Sequence, residues 1–318
     1  MTSAPTSAAP GAGDMRTEEE EMPVVRVKDL WFSYENHHVL RGINLRLEKG
    51  QRMLLIGANG AGKSTLLRVL GGRHMFHPDD AALICGRQAF HDTRLNFLRS
   101  YLDTQWGMRT VAFAGYGVPM QADIAVVDMM KKMQDSHPER RDELYQLLGI
   151  NPNWRMHALS DGQRRRVQIM LGLVRPFEVL LMDEVTVSLD VVVRQDLLLW
   201  LRQECETRGC CVIYATHIFD GLDDWPTHLH YLTSEGTTGW QGPIGELDIY
   251  RELRAAGEPS PMLRIACKWL RDELAERKKQ GLHMTEGEAG EAASTIQRKS
   301  DQQYSAGGFA PGRMSQGY

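Results

Sequence analysis

The chain has 318 residues, of which 42% are hydrophobic and 25% charged. Those are the proportions of a globular protein with a real core, and they exclude wholesale disorder or a fibrous repeat. Thirty-seven Lys and Arg against 41 Asp and Glu leave a net charge of −4, which gives no general electrostatic reason to expect a nucleic-acid partner, although a local basic patch stays open. No apolar run approaches the roughly 18 residues of a membrane-spanning helix. Residues 1–13 lack the basic start and apolar stretch of a presequence, so the expected compartment is the cytoplasm, with the nucleus as the alternative. The five cysteines are odd in number and lack zinc spacing, as reduced thiols would be. Adjacent Cys210 and Cys211 read as part of a buried strand, with a redox pair as the lesser reading.

Taken in chain order, residues 1–22 are small, Pro-rich and then acidic, and read as a disordered tail. Strands are predicted at 24–27, 53–56, 179–182 and 211–215, the last three as apolar runs of a sheet covered on both faces. Helices are predicted at 63–70, 162–174 and 191–206, and strands alternating with helices make an α/β fold. Residues 106–157 lack strand patterning, and their helix-like segments at 125–133 and 139–148 predict a mostly helical insertion. Met129, Met130 and Met133 fall there, read as core packing before a docking surface. A last helix is predicted at 262–280, with Leu263, Ala266, Cys267, Leu270 and Leu274 at helical spacing, docked on its own domain. Residues 281–318 read as a second disordered tail.

Residues 57–65, Gly57-Ala58-Asn59-Gly60-Ala61-Gly62-Lys63-Ser64-Thr65, follow an apolar strand and open a helix, the setting of a Walker A phosphate loop. The glycines let backbone N–H groups turn inward on an anion, and the helix N-terminus adds its positive end. Lys63 would bridge the β- and γ-phosphates of ATP, and Ser64 would ligate Mg²⁺. Downstream, an apolar strand ends in Asp183 and Glu184, a Walker B pattern in which Asp183 holds Mg²⁺ and Glu184 polarises a water as general base. Between them lies Leu159-Ser160-Asp161-Gly162-Gln163 before the basic run Arg164-Arg165-Arg166. Ser160 and the Gly162 N–H open a helix and make a second anion site. The basic run reads as salt bridges or a solvated face, with RNA contact as the minor reading. His37, His38, His74, His77 and His91 form no convincing ligand set, so no structural zinc is expected.

In this order the motifs resemble those of ABC ATPases, with residues 159–163 standing at the signature, where Asp161 replaces the usual Gly. The resemblance implies a P-loop NTPase core of ABC-cassette type with an antiparallel β region and an inserted α-helical subdomain. It implies a nucleotide-binding domain at 23–258, its helical subdomain at about 106–174, and the separate helix at 259–280. It further implies that Ser160, Gly162 and Gln163 meet the γ-phosphate held by the Walker A loop of an opposite chain. Ser188-Leu189-Asp190 matches the D-loop, Thr216-His217 the switch histidine, and Tyr34 the aromatic residue that stacks on adenine. Gln105 matches the Q-loop glutamine that senses Mg²⁺, one residue further from Tyr101 than the commonest spacing. Asp161 either slows closure by its charge or favours the helix N-terminus and faces away. Residues 160–168, 183–191 and 216–222, with Val185 where transporter cassettes usually carry Pro, resemble the soluble ABC ATPase associated in fungi with the CCR-NOT regulatory complex and its plant and protist relatives. The expected partners are therefore a second copy of the chain and a regulatory complex of that type, with a separate membrane subunit as the alternative.

Overall fold

In the computed structural model, residues 22–35, 37–104, 111–113, 116–118 and 123–279 are described. The expectations for Gln105, residues 1–21 and residues 280–318 lie outside them.

The chain opens with an antiparallel hairpin, β1 (Val25–Tyr34) and β2 (His37–Leu47), then runs through β3 (Arg52–Gly57) into helix α1 (Lys63–Leu70). Short strands β4 (Ala82–Ile84) and β5 (Arg87–Gln88) return to the hairpin, so the first sheet has the order β2-β1-β4-β5. Strand β6 (Arg99–Asp103) leads to the insertion, which holds the pair β7 (Val111–Phe113) and β8 (Tyr116–Val118), then α2 (Lys131–Ser136) and α3 (Pro138–Leu147). After it come α4 (Asp161–Leu173), β9 (Val179–Asp183), α5 (Val191–Arg208), β10 (Cys211–Ala215), β11 (His228–Leu232), β12 (Thr238–Pro243), α6 (Asp248–Ala255) and α7 (Pro261–Lys279). The second sheet has the order β12-β11-β3-β10-β9-β6, parallel except for β12.

Every residue of β9 and β10 is buried, and alternate side chains divide between two cores. Leu54, Ile56, Leu180, Met182, Val212 and Tyr214 join the core under α4 and α5. Met53, Leu55, Leu181, Ile213 and Ala215 join the core that α1 shares with the antiparallel sheet. This period of two, with both faces apolar, is why these strands read as unbroken hydrophobic runs.

Two expectations need correction. The insertion is not the strand-free, mostly helical segment expected: β7 pairs with β8 inside it, and at 125–133 Ala125 makes an isolated bridge to Arg155, a single 3₁₀ turn covers Val126–Asp128, and the helix starts only at Lys131. Met130 there has a positive φ of 48°, which breaks the helical path. The last helix docks on its own domain as expected, with Ala266 and Leu270 of the predicted stripe on the core, but Met262, Ile265 and Trp269 complete the inward face while Leu263 and Leu274 point to solvent. Trp269 stacks on Tyr231 of β11, and Tyr231 and the Ser234 N–H both hydrogen-bond Glu273. Cys210 lies just before β10 and Cys211 begins it; the Cys210 thiol approaches Cys205 of α5 at 3.8 Å, not its chain neighbour.

His230 of β11 is fully buried, with Nε2 at 3.1 Å from Thr238 Oγ1 and no partner at Nδ1 among the described residues. Burial pushes its imidazole down to about 4. The folded chain therefore keeps His230 neutral over a range in which the unfolded chain binds a proton. Its contribution is whole above the ordinary histidine value and is lost as pH falls through about 6.5 toward 4, on the order of 3 kcal/mol in all. In urea unfolding at a series of pH values, His230→Gln should flatten that part of the acid slope.

Candidate active site

The carboxyl ends of the parallel strands meet on one edge of the sheet, where α/β folds place their ligands. Gly57 ends β3, Asp183 ends β9 beside Ala215 of β10, and Asp103 ends β6 directly across from Asp183. The loop from Gly57 to Gly62 rises from the middle of this edge. Gly60 and Gly62 adopt φ of 83° and 98°, and a Cβ on Gly62 would stand 2.9 Å from Leu40 Cδ2, so both turn and packing require glycine.

Gly62 caps α1 without a side-chain hydrogen bond, and no acidic residue stands in the first turn. By contrast, Ser160 and Asp190 cap α4 and α5 with their own oxygens. The first N–H groups of α1, flanked by Ala61, Thr65 and the loop residues Ala58 and Asn59, thus lack the side-chain oxygen that caps α4 and α5. Lys63 is buried, and its Nζ donates to the Gly57 and Ala58 carbonyl oxygens at 2.8 and 2.9 Å. Burial holds its ammonium below the ordinary lysine value, opposed by the charges of Glu184 and Asp183.

Asp183 is likewise buried, and desolvation raises its carboxyl above the ordinary aspartate value while the Ser64 hydroxyl and the Arg68 charge favour the anion. A cation between Ser64 and Asp183 would relieve that cost, so these residues fit Mg²⁺. Glu184 sits at a positive φ of 53°, with its N–H bonded to the Ala215 carbonyl at 2.9 Å. Such a backbone costs about 1–3 kcal/mol for a residue with a side chain, and here it turns the carboxylate to within 3.3 Å of His217 Nδ1. The buried Thr216 hydroxyl accepts from the Ile218 N–H at 3.1 Å and holds the turn that carries His217.

Tyr34 ends β1, half-buried, with its hydroxyl 2.7 Å from His74 Nε2 and its ring edge-on to Phe32. Burial and the charges of Arg68 and Arg73 push His74 down to about 4, so the ring is neutral.

The signature stands apart in its contacts. Ser160 and Gln163 form a capping box, the Gln163 N–H donating to the Ser160 hydroxyl at 3.3 Å and the Gln163 side chain accepting from the Ser160 N–H at 3.0 Å. Asp161 is 97% exposed and pairs with Arg164 at 2.8 Å. A Cβ on Gly162 would lie 3.4 Å from the Ser188 carbonyl, which sets the D-loop against the signature of the same chain. Asp190 spends one oxygen on the Val193 N–H and the other on Arg166 at 2.6 Å. Arg165 donates to the Asp103 and Thr104 carbonyls at 2.9 Å each, so the basic run is consumed inside the chain.

Sequence reasoning passed over the layer beneath the phosphate loop. Arg73 pairs with buried Asp103 at 2.9 Å and lies 4.1 Å over the Tyr101 ring, and Arg68 faces Tyr101, Tyr34 and Asp183. The available signal was Leu102-Asp103, which repeats the apolar-then-Asp ending of Met182-Asp183 on the neighbouring strand.

The family described as ABC transporter matches residues 40–187. ABC transporter I family member 20 of Arabidopsis thaliana is 44% identical over 279 residues, covering 83% of this chain and 81% of that protein. CCR4-associated factor 16 of Saccharomyces cerevisiae is 42% identical over 207 residues, 60% of this chain and 68% of that protein. Among solved structures, the ATP-binding subunit of an ABC transporter superposes with a TM-score of 0.63 at 19% identity, over 78% of this chain and 99% of that one, a likeness of fold alone. With relatives so similar over so much of its length, and with that fold, this chain belongs to the ABC transporter family and is an ATP-binding cassette.

Proposed function

We propose that the chain hydrolyses ATP as a head-to-tail pair and couples that cycle to a regulatory complex of the cytoplasm or nucleus. The observation that carries hydrolysis is the Glu184–His217 contact at 3.3 Å, at the sheet edge that also holds Lys63 and Asp183. Mg²⁺, when bound, would supply positive charge that stabilises the reacting phosphates. Ser64 and Asp183 would hold it, with Gln105 as a further ligand. Lys63 gives up its two loop carbonyls to meet the phosphates, and the open first turn of α1 receives their oxygens. Glu184 takes a proton from the attacking water, and His217 orients both that carboxylate and the terminal phosphate. Tyr34 stacks on adenine, and Ser160, Gly162 and Gln163 of the opposite chain complete each site while Asp190 braces the signature against its own D-loop.

The regulatory coupling rests on the similarity to CCR4-associated factor 16. The second reading is the energy-coupling subunit of a transporter whose membrane domain is a separate chain; among the described residues no helix is long and apolar enough to cross a membrane. The names of the Arabidopsis relatives favour that reading. Affinity purification with and without ATP decides between them. Recovery of regulatory-complex subunits is the expected result, and recovery of an integral membrane protein in its place would sink the coupling proposed.

A further inference from the structure

The outer face of the antiparallel sheet carries a built feature that the nucleotide chemistry does not use. Trp31 of β1 is 51% exposed, yet its indole N–H is fixed at 2.9 Å on Asp29 Oδ1. Asp29 adopts φ of 44°, and its own N–H is bonded to Asn44 Oδ1 at 2.9 Å, while Asn44 donates to the Gly42 carbonyl at 3.1 Å. Gly42 has φ of 63°, and a Cβ there would approach the indole atom Cζ2 to 3.8 Å. Both strands therefore bulge at the same place, each turning two successive residues outward before returning to the core pattern. Strain and four polar groups are committed to holding an exposed indole still, which packing alone does not require.

Around that ring the face is cationic. Arg26, Lys28 and Arg41 are exposed and make no ion pair among the described residues, and Arg46 has a partner only in Glu48. Arg26 and Arg46 stand directly opposite each other across the hairpin, a like-charge pairing that costs stability and is offset at Arg46 by Glu48, leaving Arg26 without a counter-charge among the described residues. Among the described residues, the carboxylate beside the ring, Asp29, is spent on Trp31. Cations two residues apart on a strand are roughly 7 Å apart, a spacing that an extended phosphate chain follows.

We propose that this sheet face binds single-stranded RNA, with Trp31 stacking on a base and Arg26, Lys28, Arg41 and Arg46 holding phosphates on either side. A rigid exposed aromatic set among cations is the combination that binds single strands with little sequence preference. An acidic peptide would use the cations and leave the ring idle, and a membrane surface would require more apolar neighbours than Trp31 has. The chain's net charge of −4 does not oppose local binding, because fields between exposed charges are screened beyond about 10 Å.

The test is fluorescence anisotropy of a labelled oligouridylate of about 12 nucleotides titrated with the full chain, at about 50 and 200 mM salt. Expected are saturable binding that weakens with salt, a loss of about 5- to 100-fold in Trp31→Ala with retention in Trp31→Phe, and a shallower salt slope in Arg26→Gln/Lys28→Gln. The ATPase rate and melting temperature of each variant should match the parent. Failure of the full chain to bind at the lower salt would overturn the proposal. So would equal binding by Trp31→Ala, or tighter binding of polyglutamate or phosphatidylserine vesicles than of the oligonucleotide.

Discussion

Glu184→Gln should lower steady-state ATP hydrolysis by about 10²- to 10⁴-fold while leaving ATP affinity within a few-fold of the parent. The amide is nearly isosteric and keeps an acceptor for His217, so the strained turn and the bond from the Glu184 N–H to Ala215 survive. What disappears is a carboxylate that can accept a proton from water. Lys63, Ser64 and the first turn of α1, which bind the nucleotide in this scheme, do not touch the changed atoms directly. Turnover by radiolabelled phosphate release and binding by a fluorescent ATP analogue separate the two effects. Turnover at the parent rate would remove Glu184 from the role of base. If the variant also supports the cell as the parent does, ATP-dependent shape, and not hydrolysis, would be the output of the cycle.

That the same residue is legible in sequence and strained in structure shows where sequence reading succeeds and where it stops. The strands of the parallel sheet could be read because both faces are buried, so β9 and β10 are unbroken apolar runs ending at polar residues. Helix α1 could be placed to the residue because Gly62 ends the loop and Lys63 opens the helix. Local signals failed where tertiary contacts decide. The apolar stripe assigned to α7 was right at Ala266 and Leu270 but wrong at its ends, where Met262, Ile265 and Trp269, not Leu263 and Leu274, join the core. The 125–133 segment carries helix formers, yet its N-terminal end is held by a bridge to Arg155 and by the Pro152 and Trp154 carbonyls, a pairing some thirty positions away that no periodicity announces. Arg68, Arg73 and Asp103 were missed for the same reason: each is unremarkable in its own window, and only the register of β6 against β9 brings Asp103 beside Asp183.

The second large effect concerns the composite site proposed between two chains. Ser160→Arg should abolish ATP-dependent association, and with it hydrolysis, while the isolated chain still binds ATP. Within the chain, the Ser160 hydroxyl accepts from the Gln163 N–H and so caps α4; in the proposed pair its own proton would donate to a phosphate held by the opposite chain. Arg removes both and fills the space above the helix N-terminus. Loss of the cap costs about 1 kcal/mol, too little to unfold a cassette with two extensive cores, and Ser160→Thr should retain cap and association together. The neighbouring charge does not anticipate this result, since Asp161 is turned out to solvent and paired with Arg164. Sedimentation of the Ser160→Arg/Glu184→Gln protein with ATP and Mg²⁺, against Glu184→Gln alone, reads the association directly. A dimer that persists in the Arg variant, with hydrolysis intact on the Glu184 background, would mean that the signature lies outside the composite site and that some other surface pairs the chains.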